Sequence, residues 1–309
     1  MILGASTACR LLEPAERPSV PVDSATVLWA GGVTDSSARV VARPPVAAAG
    51  LRLAVDTTGT WTDPRIVDGT APATNTNVRH FRLEGLTPRT TYHYALYRGG
   101  VVDTARQGRF QTFASDPFSF RMALGACART GSQHPVFGAI RRAQPDVFLH
   151  LGDLHYENID APDPAAFRTA YRRVHASGPQ ARLFRSTALA YMWDDHDYGP
   201  NNSSRQAPGQ DVAQQVYREY VPHYPLAPEA RRRPIYQAFT VGRVRVLLTD
   251  LRSARTRNDA PDSAQTMMGS AQKAWFKRQL ARAKDRYPVI AWGSSVPWIG
   301  AAGESDDHW

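Results

Sequence analysis

Four apolar stretches of this chain each end abruptly in a cluster of side chains that bind metals or anions, and that coincidence restricts the fold more than any other feature. The first reaches Cys127, the second runs into GDLHYEN at 152–158, the third into WDDHDYGPNN at 193–202, and the fourth into DLRSAR at 250–255. In open α/β sheets ligands gather beyond the carboxyl ends of the strands, so a run such as 146–151 that stops at Gly-Asp delivers its carboxylate to a shared rim. The pattern implies a multinuclear hydrolase-type site at that rim.

Ahead of this region, residues 24–113 read as short alternating strands broken by Gly, Pro, Asp and Thr turns, the signature of a β-sandwich. After Ala114-Ser115-Asp116-Pro117 the pattern changes to strands alternating with helices. Strands are expected at 118–127 and 146–151 with a helix at 135–144 between them, a βαβ unit. Further strands are expected at 189–193, 244–250 and 287–294, and helices at 164–175, 213–221 and 270–285. The helix at 164–175 opens on Asp163 as N-cap with Pro164 at its first position. In the last helix Trp275, Phe276, Gln279, Leu280 and Ala283 form one stripe, the face expected to pack on a sheet. The predicted organisation is a short N-terminal segment (1–23), a β-sandwich domain (24–114) and a catalytic domain (115–309).

A length of 309 residues and a 42% hydrophobic share fit a chain with large cores. No stretch reaches the ~20 apolar residues needed to span a bilayer. The net charge of +9, from 37 basic and 28 acidic residues, favours anionic substrates without naming one. The Arg231-Arg232-Arg233 run reads as a solvated loop, so specific nucleic-acid recognition is not expected. The N-terminus has no basic n-region or twin arginine, and Ser6-Thr7-Ala8-Cys9 reads as ordinary sequence more readily than as a lipoprotein processing site, which leaves localisation unassigned. With only Cys9 and Cys127 present, no disulfide framework is expected, and Cys127 is free to serve as a ligand.

Asp153 leaves its strand after Gly152 in a position to bridge two cations. Three carboxylates surround an imidazole in Asp194-Asp195-His196-Asp197, a grouping too costly to bury unless cations or water neutralise it. A Cys127 thiolate and a Tyr156 phenolate are a suitable donor pair for ferric iron, since both anions give charge to a strongly Lewis-acidic ion. Asn201 and Asn202 offer amide oxygens to a hard cation such as Ca²⁺, and equally make a good turn. Arg129, Arg252 and Arg255 follow strand ends, where guanidinium forks suit phosphate. His150 reads as a packed histidine, His155 as either a supporting or a solvent-facing group, and His134 as either a helix cap or a pocket residue.

In this order, Cys127 in its GACA turn, GDLHYEN, MWDDHDYGPNN, DLRSAR and the G-x-x-Q-x-x-W-F helix at 269–276 resemble the PhoD-like alkaline phosphatase family. The segment LEGLTPRTTYHYALY at 83–97 resembles the tyrosine corner of fibronectin type III domains, with Tyr92 as the corner residue or as plain strand packing. The family resemblance implies a fibronectin-like domain followed by a metallophosphatase αββα sandwich that hydrolyses phosphate mono- and diesters with Fe³⁺ and Ca²⁺. Carried over by motif, Cys127, Asp153 and Tyr156 hold the iron and Asp153 bridges to calcium. Asp195 matches a metal-bridging residue, His196 the adjacent proton donor, and Asn202 a further ligand. Arg129 and Arg255 are the candidate phosphate-binding catalytic arginines. The family is associated with secretion or the cell envelope. It also takes histidine ligands from a later Gly-Asp-x-His segment that has no counterpart before Trp309, and His308 does not match it. The catalytic domain is therefore expected to be C-terminally incomplete. The alternatives are a phospholipase-D-like phosphodiesterase on the same metals, or a noncatalytic binding or adhesion protein with an inert site.

Overall fold

The computed structural model describes residues 20–47, 49–74, 76–226 and 234–298; Cys9, the arginines at 231–233 and His308 lie outside them. Eight strands come first: β1 (Val27–Gly31), β2 (Ser37–Arg43), β3 (Arg52–Asp56), β4 (Arg65–Asp68), β5 (Arg79–Glu84), β6 (Thr91–Arg98), β7 (Val101–Val102) and β8 (Gly108–Gln111). The alternating region continues through β9 (Met122–Gly125), α1 (Val136–Arg142), β10 (Val147–His150), α2 (Pro164–Ala176), α3 (Gly178–Ser186) and β11 (Ala188–Tyr191). It ends with α4 (Asp195–Tyr198), α5 (Gln210–Tyr220), β12 (Gln237–Val241), β13 (Val244–Leu248), α6 (Gly269–Ala283) and β14 (Val289–Gly293). No described helix is long and apolar enough to cross a membrane.

A six-stranded sheet, ordered β5-β2-β1-β11-β10-β9, runs through the molecule. Its strands obey the period of two. Leu28, Ala30, Val40, Leu149, Ala190 and Met192 face one core, whereas Val27, Trp29, Val41, Phe148, Leu189 and Tyr191 face the other. The first core is closed by two further sheets. Leu53, Val55 and Tyr94 come from the sheet β4-β3-β6-β7, to which β8 adds on β6, and Phe239, Val246 and Leu248 come from β12-β13-β14. The second core is closed by α2, α3 and α5 through Phe167, Val174, Phe184, Val216 and Tyr217. Helix α6 buries Gln272, Trp275 and Ala283 and packs beside β13. The result is an α+β arrangement of helices, sheet, sheet and helix.

The change of pattern at 114–117 does not interrupt the hydrogen-bonded sheet. Strand β1 pairs parallel with β11 at Gly31 and Leu189. A Cβ on Gly31 would lie 2.5 Å from Leu189 O and closer still to Pro222 O, so only glycine permits this approach. The outer face of β1 is covered by the helical half: Trp29 is fully buried, donates from Nε1 to Tyr220 O at 2.7 Å and meets the His175 ring edge-on. At the other end of the first half, the Tyr92 hydroxyl accepts from Thr87 N–H at 2.8 Å, a tie to nearby backbone of the kind a tyrosine corner makes. The Asp163 cap is present, accepting from Ala165 N–H at 2.8 Å. Five of these strands and helices were not expected from the sequence: β4, β7, α3, α4 and β12.

Candidate metal centre

The rim beyond β9, β10 and β11 is held by backbone that few side chains tolerate. Of the seven non-glycine residues with positive φ among the described residues, Cys127, Asp153, Asn158 and Asn202 belong to this region. Such conformations cost roughly 1–3 kcal/mol each and persist where the surroundings enforce them. Here the loops after β9 and β10 are laced together, Cys127 N–H donating to Gly152 O at 3.1 Å and Ala128 N–H to Asp153 O at 2.9 Å. Thr130 Oγ1 accepts from Tyr156 N–H at 2.8 Å. Gly152 has φ of 113°, and a Cβ there would lie 2.6 Å from Asp194 Cβ, so the glycine lets this loop meet the acidic turn.

The three carboxylates of that turn divide the work. Asp197 accepts from Leu154 N–H at 2.8 Å, His155 N–H at 3.2 Å and Asp194 N–H at 3.1 Å, which locks the Asp153 loop to α4. Asp194 caps α4 and takes Arg252 Nε at 2.6 Å and Ser295 Oγ at 2.8 Å. Asp195 points into the centre, accepts from Asn202 N–H at 2.5 Å and lies 3.7 Å from Arg252 Nη2. Burial pushes the Asp194 carboxyl up to about 7 against the pull of Arg252, and raises Asp197 well above the carboxylate range with Asp153 adding to it.

Ligand atoms of Asp153, Asp195 and His196 lie within 4.8 Å of one another. The Tyr156 phenol lies close enough to Asp153 and Cys127 for both to act on it, and Cys127 Sγ stands 3.7 Å from Asp153 Oδ2. Burial, then the charge of Asp195, raises the Asp153 carboxyl to about 7; burial, Asp153 and Cys127 raise the Tyr156 phenol far above its usual value. The imidazole of His196 packs 4.2 Å from the Tyr156 ring and places Nδ1 2.7 Å from Asn158 Oδ1. An amide oxygen only accepts, so in this contact Nδ1 carries the hydrogen.

These residues fit a multivalent cation. Asp153 is 5% exposed and its Oδ1 is buried without a hydrogen-bond partner. Two buried carboxylates with like-charge repulsion, a thiol and a phenol are costly as a neutral-pH cluster and become compatible when positive charge lies between them.

Several predicted residues take other positions. Cys127 stays at the rim beside Asp153 but is exposed, because β9 is the sheet's outer strand. Asn202 reaches Asp195 through its backbone N–H while its side chain is exposed. Arg255 is buried, with Nη2 3.1 Å from Asn258 Oδ1, and lines a groove along α6. The arginine that meets the carboxylates is Arg252, three residues earlier. Arg129 is half-buried on the Cys127 loop. His150 is packed against Phe148 and Tyr191, His155 is fully buried against Tyr171, and burial drives both imidazoles down to about 3. His134 Nδ1 accepts from Val136 N–H at 3.2 Å and so serves the start of α1. Asn158 has no role assigned by the sequence; its place in GDLHYEN, two residues beyond Tyr156, is the signal that points to it.

Beneath the rim, Asp250 joins the two halves of the site. It accepts from Trp193 Nε1 at 2.9 Å, Ile235 N–H at 3.0 Å and Ser253 Oγ at 2.6 Å, and its backbone is bracketed by Gln272, with both hydrogen bonds at 2.7 Å. The glutamine of the G-x-x-Q-x-x-W-F helix thus fixes the strand end from which Arg252 projects.

Two stacked sheets with helices outside, and acidic, imidazole, phenol and thiol groups at their strand ends, define the metallophosphatase-like class. The chain belongs to the PhoD-like phosphatase family, which matches residues 122–299, more than half its length. A solved structure of PhoD superposes with a TM-score of 0.72 at 17% identity, over 91% of this chain and 63% of that one. The purple acid phosphatase PPD1 from yellow lupin (Lupinus luteus) seeds gives 0.58 at 13% identity, over 87% and 50%. The chain therefore spans less than two thirds of the length of either. No curated protein sequence matches it.

Proposed function

We propose that the chain hydrolyses phosphate esters, mono- or diesters, at a centre built from Cys127, Asp153, Tyr156, Asp195 and His196. The observation that carries this reading is the convergence of Asp153, Asp195 and His196 ligand atoms within 4.8 Å beside a buried, unpartnered carboxylate oxygen. Membership of the PhoD-like phosphatase family supports the reaction class.

Cys127, Asp153 and Tyr156 would hold ferric iron, for which thiolate and phenolate are suitable donors, and Asp153 and Asp195 would share a second, harder cation such as Ca²⁺. A bound multivalent cation supplies Lewis acidity toward the phosphoryl oxygens and stabilises charge on the leaving oxygen. The protein's own contribution is orientation and proton transfer. Asn158 fixes the His196 tautomer, so that Nε2, when protonated, delivers a proton to the departing alkoxide. Arg252 holds Asp194 and balances Asp195, so the carboxylates keep their directions as substrate enters. Arg129, on the Cys127 loop, and Arg255 are the candidates for a fork onto the phosphate. Residues 24–114 are proposed as a fibronectin type III-like unit docked on the catalytic domain at 115–309.

The test is hydrolysis of p-nitrophenyl phosphate and bis(p-nitrophenyl) phosphate by the chain, with and without chelator. The proposal requires turnover that chelation and Asp153→Asn both abolish. Turnover indifferent to both would remove it.

A further inference from the structure

At the ends of the catalytic strands opposite the metal centre, four arginines converge. Arg109 of β8, Arg141 of α1 and Arg182 and Arg185 of α3 line, with His93 and Ser186, a concavity of about 280 Å³ into which no Asp or Glu among the described residues projects. Arg185 and Ser186 enter β11, whereas Asp194 to His196 leave it. The four residues of that strand alone separate the two places by ~13 Å.

The cradle is built into the fold. The Tyr94 hydroxyl donates to Arg185 O at 2.9 Å, and a Cβ on Gly108 would meet the Tyr94 ring and stand 2.7 Å from Arg185 O. Glycine at this point brings β8 against the end of α3 and sets Arg109 beside Arg185. Among the described residues no ion pair or side-chain hydrogen bond occupies Arg109, Arg141, Arg182 or Arg185. The acid whose field reaches Arg185 is Asp103, already paired with Arg106 at 3.1 Å. Burial and the neighbouring Arg182 and Arg106 lower the Arg185 guanidinium, so the group is short of negative charge. In the adjoining depression, which shares Arg109 and Ser186, the Asp146 carboxylate is engaged by Arg121 N–H at 2.7 Å.

We propose that this arginine cradle binds a compact anion carrying two linked phosphate groups, at a site remote from the metal centre. Guanidinium forks match phosphate oxygens in pairs, and four unneutralised cations call for more negative charge than one phosphate carries.

Calorimetric titration of the full chain with methylenediphosphonate, at low and at raised NaCl, tests this. Saturable binding that weakens as salt rises is expected. Exchanging the two exposed arginines together, Arg141→Gln with Arg182→Gln, should weaken it by about ten-fold or more, and Arg141→Lys with Arg182→Lys by less. Hydrolysis of p-nitrophenyl phosphate should be unchanged in both. Because a diphosphonate also ligates metals, the titration is repeated on Asp153→Asn, where cradle binding should persist. Absence of saturable binding, an affinity unaltered by the Gln pair, or binding lost with Asp153→Asn overturns the assignment.

Discussion

Arg252 and Asp194 form a buried pair at the heart of the site, Nε to Oδ1 2.6 Å, with the guanidinium wholly inaccessible and the carboxylate side chain 10% exposed. The same guanidinium lies 3.7 Å from Asp195, so one cation steadies both carboxylates where the loop after β13 meets the turn after β11.

Removing that cation leaves Asp194 buried without its partner. Arg252→Leu is expected to destabilise the fold by about 3–5 kcal/mol, read from denaturant midpoints. Arg252→Lys should recover only part of this, because an ammonium keeps the charge and loses the fork.

Asn158 acts on the reaction through His196. Asn158→Ala is expected to lower kcat about 10- to 100-fold while leaving KM nearly unchanged, as for other groups that orient a histidine, and to lower stability modestly because alanine tolerates the positive φ at this position less well than asparagine. His196→Ala should cost more, about 10²- to 10⁴-fold in kcat. Equal effects of the two would mean that orientation is the whole role of the histidine.

In metal-free protein the Asp153 and Asp194 carboxyls are raised to about 7. The folded state then binds more protons than the unfolded chain, whose carboxylates titrate near 3.9. Stability from these groups is full below that value and falls as pH rises toward about 7. Chelator-treated protein should therefore melt at progressively lower temperature from pH 4 to pH 7, and multivalent cations should raise Tm more at the upper end of that range. Scanning calorimetry with and without cation reads both.

The single close approach of β1 to β11 makes Gly31 sensitive. Gly31→Ala forces a methyl group onto Leu189 O and Pro222 O and is expected to cost about 1–3 kcal/mol. Loss of a single cooperative melt, with residues 24–114 unfolding apart from the rest, would show that the shared sheet is what couples the two halves.

Much of this was legible in the sequence because strand ends are local. Gly-Asp after an apolar run located Asp153, and the acidic turn after another located Asp195 and His196. What escaped depends on partners distant in the chain. Nothing within DLRSAR distinguishes Arg252 from Arg255; the choice follows from Asp194, which lies 58 residues away. The β1–β11 junction was hidden for the same reason, since the collision that requires glycine at 31 comes from residues 189 and 222. The short helices α3 and α4 lack the long apolar stripe that marks α2 and α6. The exposure of Cys127 follows from the outer position of β9, which strand-by-strand reading does not give.

Elemental analysis of the folded chain beside Asp153→Asn, both purified without chelator, tests the central claim most directly. The account predicts at least one bound multivalent cation per chain in the parent and its loss in the variant, with circular dichroism unchanged. A well-folded parent that holds no cation and yet hydrolyses a phosphate monoester at an undiminished rate in chelator would contradict it.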